Sequence, residues 1–160
     1  MREPPRVPVA SAGVRPDTAD IATREGFRFP DETALLREER ERFRGVLRLQ
    51  TGNRVEVLVQ GDGRSLEEFL HEMGRDGFTL IEGEAVPRHL LELAAGIDSL
   101  IVGEDQILGQ LKQALATTEA AGTSCAEIEL CITKAVNAGV RVRPQPGSNR
   151  RAASVGPDAV

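Results

Sequence analysis

Residues 89–110 collect His89, Asp98, Ser99, Glu104, Asp105, Gln106 and Gln110, polar side chains that no packing stripe demands. The apolar residues among them, Leu90, Leu93, Ala94, Ile97 and Ile101, recur at helical spacing, and Gly96 and Gly103 bracket a break. The spacing predicts a helix, a tight connection and a second helix buried along Ile107, Leu108, Leu111 and Ala114, with Glu104, Gln106 and Gln110 in or near its first turns. A helix start attracts acidic groups through its dipole, so on spacing alone Glu104 and Asp105 serve equally well as ordinary first-turn residues or as part of a site. A second stretch, Thr51-Gly52-Asn53-Arg54-Val55-Glu56, sets a hydroxyl, an amide, a guanidinium and a carboxylate around the join of two strands. By themselves Arg54 and Glu56 read as a cross-strand surface pair, and His89 as a residue near a helix start.

The elements that must position these groups give an α+β fold. Residues 7–14 read as a short strand whose early proline suits an edge or strand entry, followed by a turn at Arg15-Pro16-Asp17-Thr18. Asp31 can cap a helix through Arg44, with Leu35, Leu36 and Phe43 inward and residues 38–42 forming a solvated charged face. Residues 46–50 and 55–59 read as strands, the second ended by Gly61-Asp62-Gly63, and Ser65 caps a helix to about Gly74 with Leu66, Phe69, Leu70 and Met73 inward. His71 falls between those apolar positions and reads as a surface histidine with no partner nearby in sequence. A last strand at 78–81 completes a small α/β lobe of about four strands and two helices.

An antiparallel helical subdomain follows, with Pro87 in a first turn, a helix from Ile107 to Ala121 stopped by Gly122, and a helix from about Ala126 to Arg143. Ile128, Ile132, Ala135, Gly139 and Val142 form a seam on the last helix, while Lys134 and Arg141 fall on another face that reads as solvated before it reads as an RNA contact. From Pro144 the periodicity fails. The expected division is therefore 1–83 for the α/β lobe, 84–143 for the helical subdomain and 144–160 for a linker or tail.

Composition limits the function further. A net charge of −5 argues against a general nucleic-acid binder, DNA included, held by a basic surface. Residues 61–110 hold 3 basic and 11 acidic side chains against 6 and 4 in residues 111–160, so the C-terminal third inclines most toward phosphate. The only aromatics are 5 Phe, a poor basis for base stacking. No apolar run approaches a membrane span and the polar N-terminus lacks a signal-peptide core, so a cytoplasmic protein without membrane contact is expected. Cys125 and Cys131, six apart in a predicted helix, match no metal or disulfide spacing and read as small packed residues. No metal site is expected. Gly61-Asp62-Gly63 lacks the third glycine of a dinucleotide-binding turn.

The wording His89-Leu-x-x-x-Ala-Ala-Gly-Ile-Asp-Ser-Leu-Ile-Val-Gly-Glu-Asp-Gln-Ile-Leu-Gly-Gln-Leu-Lys closely resembles the signature of glutamyl-tRNA reductase. The resemblance extends through Thr51 to Glu56 and from Lys134 to Arg143, and so covers most of the chain. It implies an oxidoreductase of tetrapyrrole (porphyrin and heme) synthesis that reduces glutamyl-tRNA to glutamate-1-semialdehyde with NADPH. A thiolate attacks the glutamyl ester, and hydride reduces the resulting thioester. By resemblance Thr51, Asn53 and Arg54 line the glutamate pocket, with Arg54 pairing a carboxylate. Ser99, Glu104, Asp105, Gln106 and Gln110 complete it, and His89 assists near the ester.

Two departures set this chain apart. Gly52 stands where the family carries its nucleophilic cysteine, and Pro16 and Asp17 hold the places of a His-Lys pair beside the active site. The NADPH-binding domain expected after residues 153–155 is absent from the sequence, so no cofactor is expected to bind the chain alone. Either defect should abolish the full reaction. The readings that follow are a recognition domain of a reductase, inactive alone; a shortened regulatory pseudoenzyme that binds glutamyl-tRNA or a full-length reductase; and a decayed gene product.

Overall fold

The computed structural model describes residues 8–29, 42–96 and 106–142. Four strands form one antiparallel sheet in the order β2-β3-β1-β4, with β1 at Val9–Val14, β2 at Val46–Gln50, β3 at Val55–Gln60 and β4 at Thr79–Glu82. Five described helices accompany it: α1 Ile21–Phe27, α2 Gly63–Glu72, α3 Ala85–Ala95, α4 Ile107–Ala121 and α5 Ala126–Val142. The α+β class read from the sequence is the class observed.

Strand alternation gives the sheet two covered faces. Ala10, Ala12, Val14, Val46, Val55, Val57 and Val59 pack under Phe27, Phe29 and α2. Val9, Leu47, Leu49 and Leu58 point the other way, into one core with Val86, Leu90 and Leu93 of α3, Ile107 and Leu111 of α4, and Ile128 and Ile132 of α5. That second face carries Glu56, because it shares its parity with Leu58. At the outer edge of the sheet, Val46 N–H donates to the Thr123 carbonyl at 2.8 Å and Thr123 Oγ1–H donates back to the Val46 carbonyl at 3.0 Å.

Several expectations need correction. Strand β1 is interior, not at an edge; Pro8 precedes it, so each residue of the strand keeps an N–H for one or other of its two neighbours. Helix α1 lies ahead of the helix expected from Asp31 to Arg44; most of that span is outside the described residues, and 42–44 are not helical. Helix α2 is capped by Asp62, whose carboxylate accepts from Ser65 N–H at 2.8 Å, so Ser65 is inside the helix. His71 is exposed as expected but does have a partner, Asp76 Oδ1 at 2.6 Å from its Nδ1. In α5 the seam of Ile128, Ile132, Ala135 and Gly139 is buried while Val142 is 62% exposed. Cys125 directly precedes α5; both cysteines are half-buried free thiols, and burial raises the Cys131 pKa.

Candidate functional site

The β2–β3 connection is a tight turn tied by Thr51. Thr51 N–H donates to the Arg54 carbonyl at 2.9 Å, and Thr51 Oγ1 accepts from the N–H groups of Asn53 at 3.1 Å and Arg54 at 3.2 Å. A threonine hydroxyl suits this work because it bonds backbone donors two and three residues on. Gly52 stands at the tip with an ordinary backbone φ, and a Cβ built there meets nothing within 4 Å. Glycine is therefore not required by the turn.

Below the turn lies a chain of charged groups. Arg54 is fully buried, and its Nη1 donates to Glu56 Oε2 at 2.7 Å. The other oxygen, Glu56 Oε1, meets His89 Nε2 at 2.7 Å, and Arg15 Nη1 stands 3.5 Å from His89 Nδ1. Arg54 and Glu56 are thus not a surface cross-strand pair: two apart on one extended segment, they share the buried face toward α3. Burial opposes the charge on Glu56, but the bond and charge of His89 and then Arg54 outweigh it and hold its carboxyl well below the usual range. Burial likewise opposes the charge on His89, yet the Glu56 carboxylate raises its pKa overall, against smaller repulsion from Arg15 and Arg54. Gly13 makes this arrangement possible. It lies opposite Glu56 in the β1–β3 register, and a Cβ there would fall 2.7 Å from Glu56 Cγ and from the Val55 carbonyl oxygen.

Two hollows flank the charged chain. One of about 250 Å³ is walled by Arg15, Thr18, Glu56, Thr79, Arg88 and His89, so the turn after β1 borders the site even though Pro16 and Asp17 hold the places expected for His and Lys. The other, of about 260 Å³, opens beside the turn and is walled by Arg24, Glu25, Arg28, Gly52, Asn53 and Arg54. Arg24 Nη1 donates to the Asn53 carbonyl at 3.4 Å and Arg28 Nη1 to the Thr51 carbonyl at 2.7 Å, so α1 grips the turn from outside.

The predicted residues divide accordingly. Thr51, Gly52, Asn53 and Arg54 come together, and His89 reaches Arg54 through Glu56. Gln106 is exposed just ahead of α4. Gln110 borders a hollow of about 120 Å³ with Arg48, Gln50 and Gln113, and Gln50 directly precedes Thr51. Ser99, Glu104 and Asp105 lie outside the described residues. Sequence reasoning missed Arg15, Arg24 and Arg28; the last two depend on α1, whose single buried apolar residue, Phe27, leaves no periodic signal.

Among the described residues no cluster of three or more His, Cys, Asp or Glu could hold a metal, and no helix is long and apolar enough to cross a membrane. The Gly61-Asp62-Gly63 turn does not fit a dinucleotide pyrophosphate. Its helix N–H groups are already bonded to carboxylates, Ser65 to Asp62 and Gly63 to Glu82 Oε1 at 3.0 Å.

Residues 12–145 match the family model described as "Glutamyl-tRNAGlu reductase, N-terminal domain". A glutamyl-tRNA reductase of Methanoculleus marisnigri is 74% identical over 154 residues, which cover 96% of this chain and 36% of the relative. One of Methanoregula boonei is 56% identical over 151 residues, covering 94% and 36%. The chain thus spans about a third of the length of these relatives. The solved structure of glutamyl-tRNA reductase from Methanopyrus kandleri superposes with a TM-score of 0.75 at 32% identity, covering 84% of this chain and 34% of that one. With the family model spanning most of its length and the fold matching a solved member, the chain belongs to the glutamyl-tRNA reductase N-terminal domain family.

Proposed function

We propose that this chain recognises the glutamyl end of glutamyl-tRNA without forming a covalent intermediate. The observation that carries this reading is the pairing of an open Gly52 position with an intact Thr51–Asn53–Arg54 turn above the buried Arg54–Glu56–His89 chain. In the family reaction a thiolate takes the glutamyl group from the tRNA ester, and NADPH supplies the hydride for a semialdehyde used in tetrapyrrole synthesis. The chain's own residues can bind and orient the glutamyl group. Arg54 borders the hollow beside the turn, its buried guanidinium fixed by Glu56; by resemblance to the family it is the group that pairs a substrate carboxylate, which a guanidinium fork matches. His89 borders its own hollow, with Nε2 bonded to Glu56 and Nδ1 3.5 Å from Arg15 Nη1, so these two groups fix the ring at the edge of that space. No group at Gly52 can attack the ester, since glycine carries no side-chain atom.

The test is a titration with glutamyl-tRNA and with uncharged tRNA, repeated on Arg54→Lys and Gly52→Cys, with folding checked by circular dichroism. Preference for the charged tRNA that drops in Arg54→Lys supports the reading. A thioester trapped only in Gly52→Cys would show that the missing thiol alone separates recognition from acyl transfer. Equal affinity for both tRNAs in every folded variant would sink it.

A further inference from the structure

The hollow beside Gly52 holds more positive charge than recognition of one glutamyl group needs. Arg24 and Arg28 stand on its wall, and of the other charged groups there Arg54 is already neutralised by Glu56 while Glu25 is the opposing anion. Both arginines are half-buried and each donates one bond to the turn, at the Asn53 and Thr51 carbonyls, while Arg24 Nε donates a second to the Asp20 carbonyl at 3.4 Å. A guanidinium carries five N–H donors in a planar fork, so a carbonyl contact leaves donors that match a phosphate. The neighbouring Asp20 carboxylate is occupied in capping α1 through Thr23 N–H at 2.8 Å. A chain of net charge −5 gains little from diffuse attraction to a polyanion, so a local cationic pair is the kind of feature that can hold RNA here. Stacking offers no substitute, because Phe27, Phe29, Phe43 and Phe69 are buried and Phe78 is half-buried.

We infer that Arg24 and Arg28 hold the phosphodiester backbone of the RNA acceptor end whose terminal ester is presented at Gly52. This rests on the recognition reading above and adds to it the contact that distinguishes a tRNA ester from free glutamate.

The experiment compares two stable analogues: 3′-(glutamylamino)-3′-deoxyadenosine, which has no phosphate, and the same group ending a cytidine-cytidine-adenosine trinucleotide. In the unaltered chain the trinucleotide should bind about tenfold more tightly, the scale of one charge-assisted contact. Arg24→Gln should erase that advantage and lower the salt slope by about 0.7 per lost phosphate contact, while Arg24→Lys restores much of both. An unchanged advantage in Arg24→Gln overturns the inference. So does parallel weakening of both analogues, which would mean that Arg24 only props up the turn. If the nucleoside binds the unaltered chain and the phosphates add nothing, the phosphate role alone falls; if neither analogue binds, the recognition reading falls with it.

Discussion

Gly13 and Gly52 sit on opposite sides of the same site, and the reasons they are glycine differ. At Gly13 a methyl group would collide with Glu56 Cγ and the Val55 carbonyl, so the residue is fixed by the charged chain it adjoins. At Gly52 the backbone is ordinary and the space is empty, so nothing in the fold forbids a cysteine. The contrast teaches that the supporting frame and the reacting atom are under separate physical constraints. Thr51, Arg54 and Glu56 are buried and hydrogen-bonded whether or not a substrate is ever bound. Their presence beside Gly52 is therefore explained by folding as well as by recognition.

The comparison breaks most readily at Glu56. Glu56→Gln leaves a buried guanidinium without its counter-charge and should cost about 3–5 kcal/mol, read from the urea midpoint. A loss under 1 kcal/mol would mean that Arg54 is held by other groups. Gly13→Ala should cost about 1–3 kcal/mol by overpacking, measured the same way. Thr51→Val removes an acceptor from two backbone donors and should cost about 1–2 kcal/mol while leaving the turn's other ties in place. At the far end of the scale, Gly52→Cys should change stability by no more than about 0.5 kcal/mol; a larger loss would show that the open space beside Gly52 is filled.

The pH profile sharpens the same contrast. The Glu56 carboxyl is held below its ordinary range, so its contribution is complete above the unfolded value of about 4.3 and lost as pH falls through the folded one. The His89 pKa is raised, so its contribution is complete below about 6.5 and lost as pH rises through the folded value. Stability should therefore be greatest between about pH 4.3 and 6.5 and decline on both sides. Glu56→Gln should flatten both limbs, whereas Gly52→Cys should leave them in place. A flat profile in the unaltered chain would show that the ion chain is not formed in solution.

Much of the scaffold was legible because its signals are local. Strands β2 and β3 follow mostly apolar runs bounded by turn residues, and Gly122 closes α4 in a left-handed conformation at φ 76°. The family wording led directly to Thr51, Arg54 and His89. What was not legible depended on distance or on weak local pattern. Helix α1 has 7 residues and one buried side chain, so Arg24 and Arg28 could not be placed beside Gly52. The Glu56–His89 bond spans 33 residues and needs Gly13 from a third segment, a coincidence that no spacing announces.

The Thr123 stitch at the sheet margin has a consequence for how this chain behaves in concentrated solution. An uncovered outer strand is a template on which another molecule can add its own, the first step toward fibrous assembly. Here both backbone groups at the start of β2 are already spoken for by Thr123, and α4 lies along the strand beyond it. Strand β4, on the opposite margin, runs for only 4 residues before Gly83 turns the chain into α3. Strand addition is thus hindered at the start of β2 and limited by the shortness of β4, so the folded chain should stay dispersed more readily than an open four-stranded sheet would.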